Sequence, residues 1–305
     1  MNTRWLSATL MLWAWAPMAH AASPAFYQTW SDGKGEINVY RLVEERYHEP
    51  RQGHAVLVYV SEELNSDTYI KVESDRTPPE KRMFVLKLNS TRKFPTGVYD
   101  YSTMTSVFSV PESHLGFPPF SPARITHSTQ EWCGQVYERM ELRRDGWHRN
   151  LYSYFEAEGE RSETLPSAGI ELEDNLWIKI RELDQPWLQP GETAQVMLLE
   201  SAWERRKTHQ PPTPRSVSIQ KRDAEPISTG IGRLEAFAWH WTAGEREVTV
   251  LVEKGGQHRI LGWTDSHGGK AEIVSSERMA YWQLNDDHQV DVRQRLKLPD
   301  QKLLP

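Results

Sequence analysis

The chain has 305 residues, a single cysteine and a formal net charge of −6 with its histidines neutral. A mildly acidic chain without a basic stripe argues against a nucleic-acid partner, whose phosphates select clustered lysine and arginine. One cysteine excludes an intrachain disulfide, and a chain of this length can bury a core without cross-links. These quantities allow one large all-β domain or two small ones.

The N-terminus has the pattern of a secretory signal peptide. Arg4 supplies a positive charge, residues 5–18 are apolar, and Ala19-His20-Ala21 is a small-residue cleavage site. The apolar run is shorter than the roughly 20 residues that span a bilayer, which disfavours the alternative of a membrane anchor. We therefore expect cleavage after Ala21, no transmembrane segment in the remaining chain, and a periplasmic or secreted protein.

The first third of the remaining chain predicts antiparallel strands separated by glycine and proline turns. Period-two alternation predicts strands at 36–44, 54–61, 83–89 and 98–108. A short helical turn is predicted at 61–65. The segment 111–122 contains four prolines and cannot lie in a central strand. It is either a lip over a pocket or a cover on the end of the sheet.

A hairpin running from Glu131 to about Glu158 is predicted around Asp145-Gly146, a strong signal for a two-residue type I′ turn. This turn would place Met140 opposite Leu151. One face of the hairpin would then be apolar, comprising Trp132, Val136, Met140, Leu142, Leu151 and Phe155. The other face would be polar and aromatic, comprising Cys133, Gln135, Tyr137, Arg139, Tyr152, Tyr154 and Glu156.

Further strands are predicted after the hairpin, at 176–183, 195–203, 232–242, 247–253, 258–263, 270–275 and 279–284. Three prolines make 207–215 the best linker candidate, although it is equally a long loop inside one domain. The predicted organisation is a signal peptide at 1–21 and an N-terminal antiparallel β region at 22–206. The Pro-rich loop or linker at 207–215 leads to a C-terminal antiparallel β region at 216–305, which we expect to be continuous with the first.

Few residues of the sequence are candidates for a catalytic role. The sequence contains no G-x-S-x-G elbow, HExxH helix or P-loop, and its scattered histidines predict neither a metal site nor a cofactor. Cys133 could be a nucleophile if a base activated it. His127 lies six residues away on the same predicted strand, roughly 20 Å, so the two side chains cannot meet. A small packed cysteine is the alternative interpretation.

Aromatic residues supply the candidate binding face. Thirteen tryptophans, three of them in the predicted signal peptide, could build binding platforms or a β core. The tyrosines of the central hairpin could stack against a sugar or line a cavity, and the competing interpretation is a ladder of cross-strand aromatic pairs. The candidate residues are Asp100, Tyr101, Cys133, Tyr137, Arg139, Tyr152 and Tyr154.

Several segments resemble an uncharacterised family of secreted bacterial proteins, some of which carry a septum-formation-inhibitor (Maf) label. The segments are 41–47, 86–89, 96–108 and 130–134. The resemblance covers most of the chain and implies no known activity. True Maf proteins are cytoplasmic nucleotide pyrophosphatases with an N-terminal Ser-Pro-Arg-Arg signature, which this chain lacks, so none of that chemistry is carried over. The last third also resembles secreted β-rich domains built as rolled antiparallel sheets.

The predicted fold is all-β, a large antiparallel meander rolled into a barrel-like or two-lobed sheet with few helices. The predicted function is that of an exported envelope protein that binds a small molecule, a glycan or an envelope protein without catalysis and without a cofactor. One alternative is a periplasmic hydrolase whose site is assembled from distant strands around Cys133 or Asp100. Another is a structural or assembly partner.

Overall fold

The computed structural model describes residues 22–299. The predicted signal peptide at 1–21 and its cleavage site therefore lie outside the described residues. Within residues 22–299, fifteen strands form one sheet. In chain order they are β1 Gly35–Arg46, β2 Glu49–Asn65, β3 Arg82–Thr96, β4 Tyr99–Val110, β5 Ser121–Glu131, β6 Gly134–Arg143, β7 Gly146–Ser153, β8 Glu160–Leu165, β9 Ile170–Leu172, β10 Thr193–Leu199, β11 Arg215–Thr229, β12 Gly232–Ala243, β13 Arg246–Glu253, β14 Ile260–Asp265 and β15 Lys270–Met279.

Helices are few and short. The α-helices are α1 Pro24–Trp30, α2 Glu173–Lys179, α3 Ala202–Thr208 and α4 Val290–Arg295, and the 3₁₀ segments are Pro79–Lys81, Tyr281–Gln283 and Asp287–Gln289. None of the described helices has the length and apolar character needed to cross a membrane. The predictions of an all-β fold and of a large antiparallel sheet with few helices are confirmed.

The order of the strands differs from a simple meander. One antiparallel run extends outward from β1 to β8 and another from β15 to β10, and the two runs meet where β1 pairs with β15. The short β9 pairs in parallel with β10, while every other pairing of the sheet is antiparallel. The first and last strands therefore lie in the middle of the sheet, and β8 and β9 are its two edges.

The β6–β7 hairpin forms as predicted, but its register is shifted. Arg143 pairs with Gly146, so the two turn residues are Arg144 and Asp145, and Met140 faces Arg149 instead of Leu151. The shift is by two residues, so each side chain of the paired residues of β6 and β7 stays on its predicted face. Gly146 is needed in the strand itself, because a Cβ at this position would lie 2.4 Å from the carbonyl oxygen of Leu165 in the neighbouring strand β8.

Three predicted elements are wrong, and a fourth, the strand at 195–203, forms but ends too late in the prediction. The predicted strand at 176–183 overlaps helix α2, and the predicted strand at 195–203 ends at Leu199 before helix α3 begins. Residues 61–65 belong to strand β2, and residues 281–283 form a 3₁₀ turn. Apolar runs this short fit a strand or a buried helix equally well, so periodicity could not separate the two.

Helix α3 overlaps the predicted Pro-rich loop or linker at 207–215 only at the first two residues of that segment. Ser201 caps the helix by accepting a hydrogen bond from the backbone N–H of Glu204, and Lys207 and Thr208 are its last residues. Residues 209–214 then lead into strand β11. The helix therefore connects β10 to β11, at the end of the sheet that also carries the β1–β2, β3–β4 and β5–β6 turns.

The core lies on the inner face of the curved sheet, around α2 and α3. Trp203 of α3 contacts Phe94, Tyr101 and His127, which come from β3, β4 and β5. Six of the tryptophans are buried: Trp30, Trp147, Trp203, Trp239, Trp241 and Trp263. The Pro-rich loop packs its Phe120 edge-on against Phe26 of α1, with ring centroids 5.1 Å apart, and so covers one end of the sheet.

Candidate ligand-binding groove

The tip of the β5–β6 hairpin is a two-residue turn that projects into solvent. Glu131 pairs with Gly134, so Trp132 and Cys133 form the turn. The prediction that a single strand continues through 131–137 is therefore wrong. Trp132 is 75% exposed, which contradicts its predicted place on the apolar face. The alternation on both sides of the turn concealed it in the sequence pattern.

A row of aromatic rings connects this tip to the core. Trp132 stacks on Tyr99 with ring centroids 6.2 Å apart, and the hydroxyl of Tyr99 donates to that of Tyr47 at 3.3 Å. The hydroxyls of Tyr47 and Tyr101 are 2.7 Å apart. Tyr101 is 1% exposed and stacks on Phe94, so it anchors the row and is not part of an exposed binding face as predicted. The hydrogen bond with Tyr47 raises the pKa of Tyr99 to about 12, which leaves this ring uncharged at neutral pH.

Tyr137 and Tyr152 form a cross-strand pair on the outer face of the same hairpin stack. They are directly opposite in the β6–β7 ladder, and their rings stack with centroids 6.4 Å apart. This pair fits the interpretation of a stabilising aromatic ladder. Tyr154 follows the end of β7 and is 77% exposed. Gly134 leaves room for it, since a Cβ there would lie 2.8 Å from Cδ1 of Tyr154.

An open groove of about 830 Å³ lies between the hairpin tip and the segment after β7. Trp132 and Cys133 form one wall, and Tyr152 and Tyr154 contribute to the other. Polar side chains capable of hydrogen bonding line the same groove: Gln130, Glu131, Gln135, Ser153 and Glu160. The groove therefore combines exposed aromatic surfaces with amide, hydroxyl and carboxylate groups. We call it the aromatic groove.

The structure brings together only some of the predicted site residues. Cys133, Tyr152 and Tyr154 line the aromatic groove, and Tyr137 lies beside it through its stacking on Tyr152. Asp100 is exposed and pairs with Pro95 in the β3–β4 ladder. Arg139 pairs with Asn150 in the β6–β7 ladder and places its guanidinium 3.7 Å from Glu141. Neither Asp100 nor Arg139 lines the groove.

The surroundings of Cys133 do not activate its thiol. The side chain is exposed, so the interpretation of a small packed cysteine is wrong. The thiol of Cys133 donates a hydrogen bond to the carboxylate of Glu131, and this bond, together with the carboxylate's charge, raises the pKa of the thiol and disfavours the thiolate. His127 is buried between the hydroxyls of Thr105 and Thr129, at 2.9 Å from each. Burial lowers the pKa of His127 to about 3, so it remains a neutral structural residue.

A second polar region lies inside the sheet, where α2 and α3 meet it. Arg92 and Lys207 approach Glu44 at 2.7 and 3.2 Å, and Arg246 contacts Glu173 at 2.5 Å. The cavity among these groups is only about 50 Å³, which is enough for water but not for a substrate. These ion pairs attach the two helices to the sheet. Within residues 22–299, no group of three or more His, Cys, Asp and Glu side chains is arranged to hold a metal ion.

Comparisons with known proteins give similarity in structure only. No protein-family model matches the chain, and no curated protein matches it. A β-barrel-like protein of the domain of unknown function DUF1849 from Brucella abortus is 7% identical with a TM-score of 0.45, and the alignment covers 80% of this chain and 98% of that one. A DUF1089 family protein from Pseudomonas aeruginosa is 11% identical with a TM-score of 0.35. That alignment covers 58% of this chain and 83% of the other.

Proposed function

We propose that this protein is exported to the cell envelope and binds a saccharide in the aromatic groove without catalysing a reaction. The observation that carries the proposal is the pairing of two strongly exposed rings, Trp132 and Tyr154, with hydrogen-bonding side chains in one open groove. Large aromatic side chains usually bury most of their surface, so two that face solvent together indicate a binding surface. Export is supported by the signal-peptide pattern of residues 1–21.

The chemistry of the groove fits a sugar better than other ligands. A pyranose ring has an apolar C–H face that packs flat on an aromatic ring, and a rim of hydroxyls that need donors and acceptors. Trp132 and Tyr154 supply such rings, while Gln130, Gln135 and Glu160 supply the polar groups. Stacking of Trp132 on Tyr99 holds the indole in place before a ligand arrives, which reduces the entropy cost of binding.

The hydrolase alternative has less support. Its two candidate residues are Cys133 and Asp100, and the pKa of the Cys133 thiol is raised by Glu131. Asp100 lies outside the groove, so the two candidates do not form one site. A catalytic cysteine needs a neighbouring base or positive charge that favours the thiolate, and Glu131 has the opposite effect.

Titration calorimetry with neutral oligosaccharides tests the proposal. Cellotetraose, maltotetraose and chitotetraose are each titrated into the purified protein and into the Trp132→Ala and Tyr154→Ala variants. We expect saturable binding of at least one of them, weakened about tenfold in each variant because a stacked ring is lost. Trp282→Ala is the matched control, because Trp282 is also exposed but follows β15 at the opposite end of the sheet.

Two results would overturn the proposal. Saccharide binding is refuted if none of the three oligosaccharides binds, or if Trp132→Ala binds as well as the control. Export is tested separately by cell fractionation and by mass spectrometry of the N-terminus. A protein that begins at Ala22 and is found in the envelope supports export, and an unprocessed cytoplasmic protein refutes it.

A further inference from the structure

A second cavity, of about 280 Å³, lies on the inner side of the sheet. It is enclosed by β6, β7 and β8 together with helix α3 and the loop that follows it, and we call it the arginine cavity. Its charged lining consists of four arginines and three glutamates: Arg149, Arg161, Arg205, Arg206, Glu138, Glu158 and Glu163. Apolar side chains, among them Val136, Leu151 and Pro211, complete the wall.

Two of the four arginines form close ion pairs with carboxylates, although their Nε atoms are buried without a partner among the described residues. Arg149 donates to Glu138 at 2.8 Å and to Glu163 at 2.6 Å. Arg205 donates to the other carboxylate oxygen of Glu138. Burial alone would raise the pKa of Glu138, but Arg205 and Arg149 reverse this effect and lower it. Glu138 is therefore ionised and used completely by these two arginines, so it cannot compensate another cation.

Arg206 is compensated much less well. Its side chain is only 4% exposed, and the nearest carboxylate, that of Glu158, is 3.5 Å away. Glu158 also accepts hydrogen bonds from His209, at 2.8 Å, and from Ser153. The Nε atom of Arg206 is buried without a partner among the described residues. The ring of Phe155, 4.2 Å from the guanidinium carbon, supplies only a partial counter-charge.

Arg161 provides a second guanidinium at the mouth of the same cavity. It is exposed and donates through Nε to the backbone carbonyl of Glu158 at 2.9 Å, and this is the one hydrogen bond that its side chain makes within the described chain. Both terminal nitrogens of Arg161 are thus available to a ligand. Arg206 contacts the side chain of Glu158 and Arg161 contacts its backbone, so both guanidinium groups adjoin the same residue in the wall of the cavity.

We propose that the arginine cavity binds a small organic anion, whose carboxylate or phosphate group is held by Arg206 and Arg161. Arg206 shares its carboxylate partner, 3.5 Å away, with His209 and Ser153, so an anionic ligand would add counter-charge to an incompletely compensated buried cation. The planar guanidinium presents paired N–H groups that match the oxygens of a carboxylate or phosphate. The volume is several times that of a water molecule, roughly 30 Å³, so it accommodates a small organic group against Val136 and Leu151.

The arginine cavity is separate from the aromatic groove. Ser153 and Glu160 line the groove, whereas Glu158, between them in the chain, lines the cavity. The segment after β7 therefore forms a wall between the two. Loss of saccharide binding by Trp132→Ala leaves the arginine cavity intact, so failure of one proposal is distinguishable from failure of the other.

Titration calorimetry with inorganic phosphate and with succinate tests this proposal. Ionic strength is held constant with NaCl, because salt screens exposed charges. We expect saturable binding of at least one probe at one site. Arg161→Gln should weaken it about tenfold, since charge-assisted hydrogen bonds are lost. Arg161 is exposed, so this variant tests the site without disturbing the core. Arg144→Gln, an exposed substitution in the β6–β7 turn, is the matched control and should bind like the unmodified protein.

Each outcome decides the question. Binding of phosphate alone assigns a phosphate ester, and binding of succinate alone assigns a carboxylate. Arg206→Gln, with its fold verified by circular dichroism, should also lose binding. The proposal is overturned if neither probe binds saturably to the unmodified protein, or if Arg161→Gln binds as tightly as Arg144→Gln.

Discussion

Asp174 offers a sharp test of the interior electrostatics. It lies in the first turn of α2, is buried, and accepts a hydrogen bond from the backbone N–H of Ala202 at 2.9 Å. Burial raises the pKa of Asp174 from its ordinary 3.8 to about 6, against the opposing effect of Arg205. The folded protein therefore binds this proton more tightly than the unfolded chain between those two pH values.

The sign and size of the effect follow from proton linkage. Between pH 3.8 and about 6, Asp174 is protonated more often in the folded state than in the unfolded chain. The contribution of Asp174 to stability therefore falls as pH rises and levels off above pH 6. A difference of about two pKa units corresponds to about 3 kcal/mol. Asp174→Asn cannot ionise but keeps an oxygen that accepts from Ala202. We therefore expect the stability of the variant relative to the unmodified protein to rise by about 2 kcal/mol between pH 4 and pH 7.

Urea unfolding followed by tryptophan fluorescence at a series of pH values measures this difference. Subtracting the free energy of unfolding of the unmodified protein from that of the variant removes the contributions of all other titrating groups, provided that they are unchanged. Asp223→Asn, at an exposed position of β11, is the control and should have little effect at any pH. A difference for Asp174→Asn that stays constant with pH, or that falls as pH rises, would refute the reasoning.

Three further substitutions test the packing, each by urea unfolding at pH 7. Gly53→Ala should destabilise the protein by about 1–3 kcal/mol, because the new Cβ would lie 2.2 Å from the carbonyl oxygen of Lys93; an unchanged midpoint would contradict this close approach. Glu138→Gln should cost about 3–5 kcal/mol, since it removes the charge shared by two buried arginines, and a neutral effect would show that the pairs are not buried. Trp203→Ala should cost a similar amount, because it empties the space between α3 and the sheet and leaves Glu44 without its indole donor. A loss of stability below about 1 kcal/mol would contradict that packing.

The strands were the predictable part of the fold. The β6–β7 hairpin was found from alternation and from an Asp-Gly pair, and its faces were right although its register was not. The alternation of apolar and polar residues shows which face of the sheet each side chain occupies. A register shift of two residues leaves that face unchanged, so alternation cannot fix the register. The register was decided instead by Gly146, whose close contact with the carbonyl oxygen of Leu165 exists only once strand β8 has docked.

The helices and the groove were harder to predict. Leu176 and Ile178 occur in an apolar run that is equally compatible with a strand, and only burial inside the curved sheet selects helix α2. The aromatic residues Tyr152 and Tyr154 were correctly assigned to the outer face of the hairpin. Trp132 was assigned to the wrong face, because the turn that it occupies interrupts the alternation.

The amino-acid sequence alone determined the β-strand content, the positions of most turns and the aromatic character of the central hairpin. These properties depend on neighbours a few residues away, so they can be inferred from local patterns. The tertiary structure alone decided the pairing of β1 with β15, the groove beside Trp132 and the ion pairs of the interior. Arg205 and Glu138 are 67 positions apart, and Arg181 and Glu36 are 145 apart. Contacts of this kind arise only when the whole sheet has curved around its helices, and no local pattern records them.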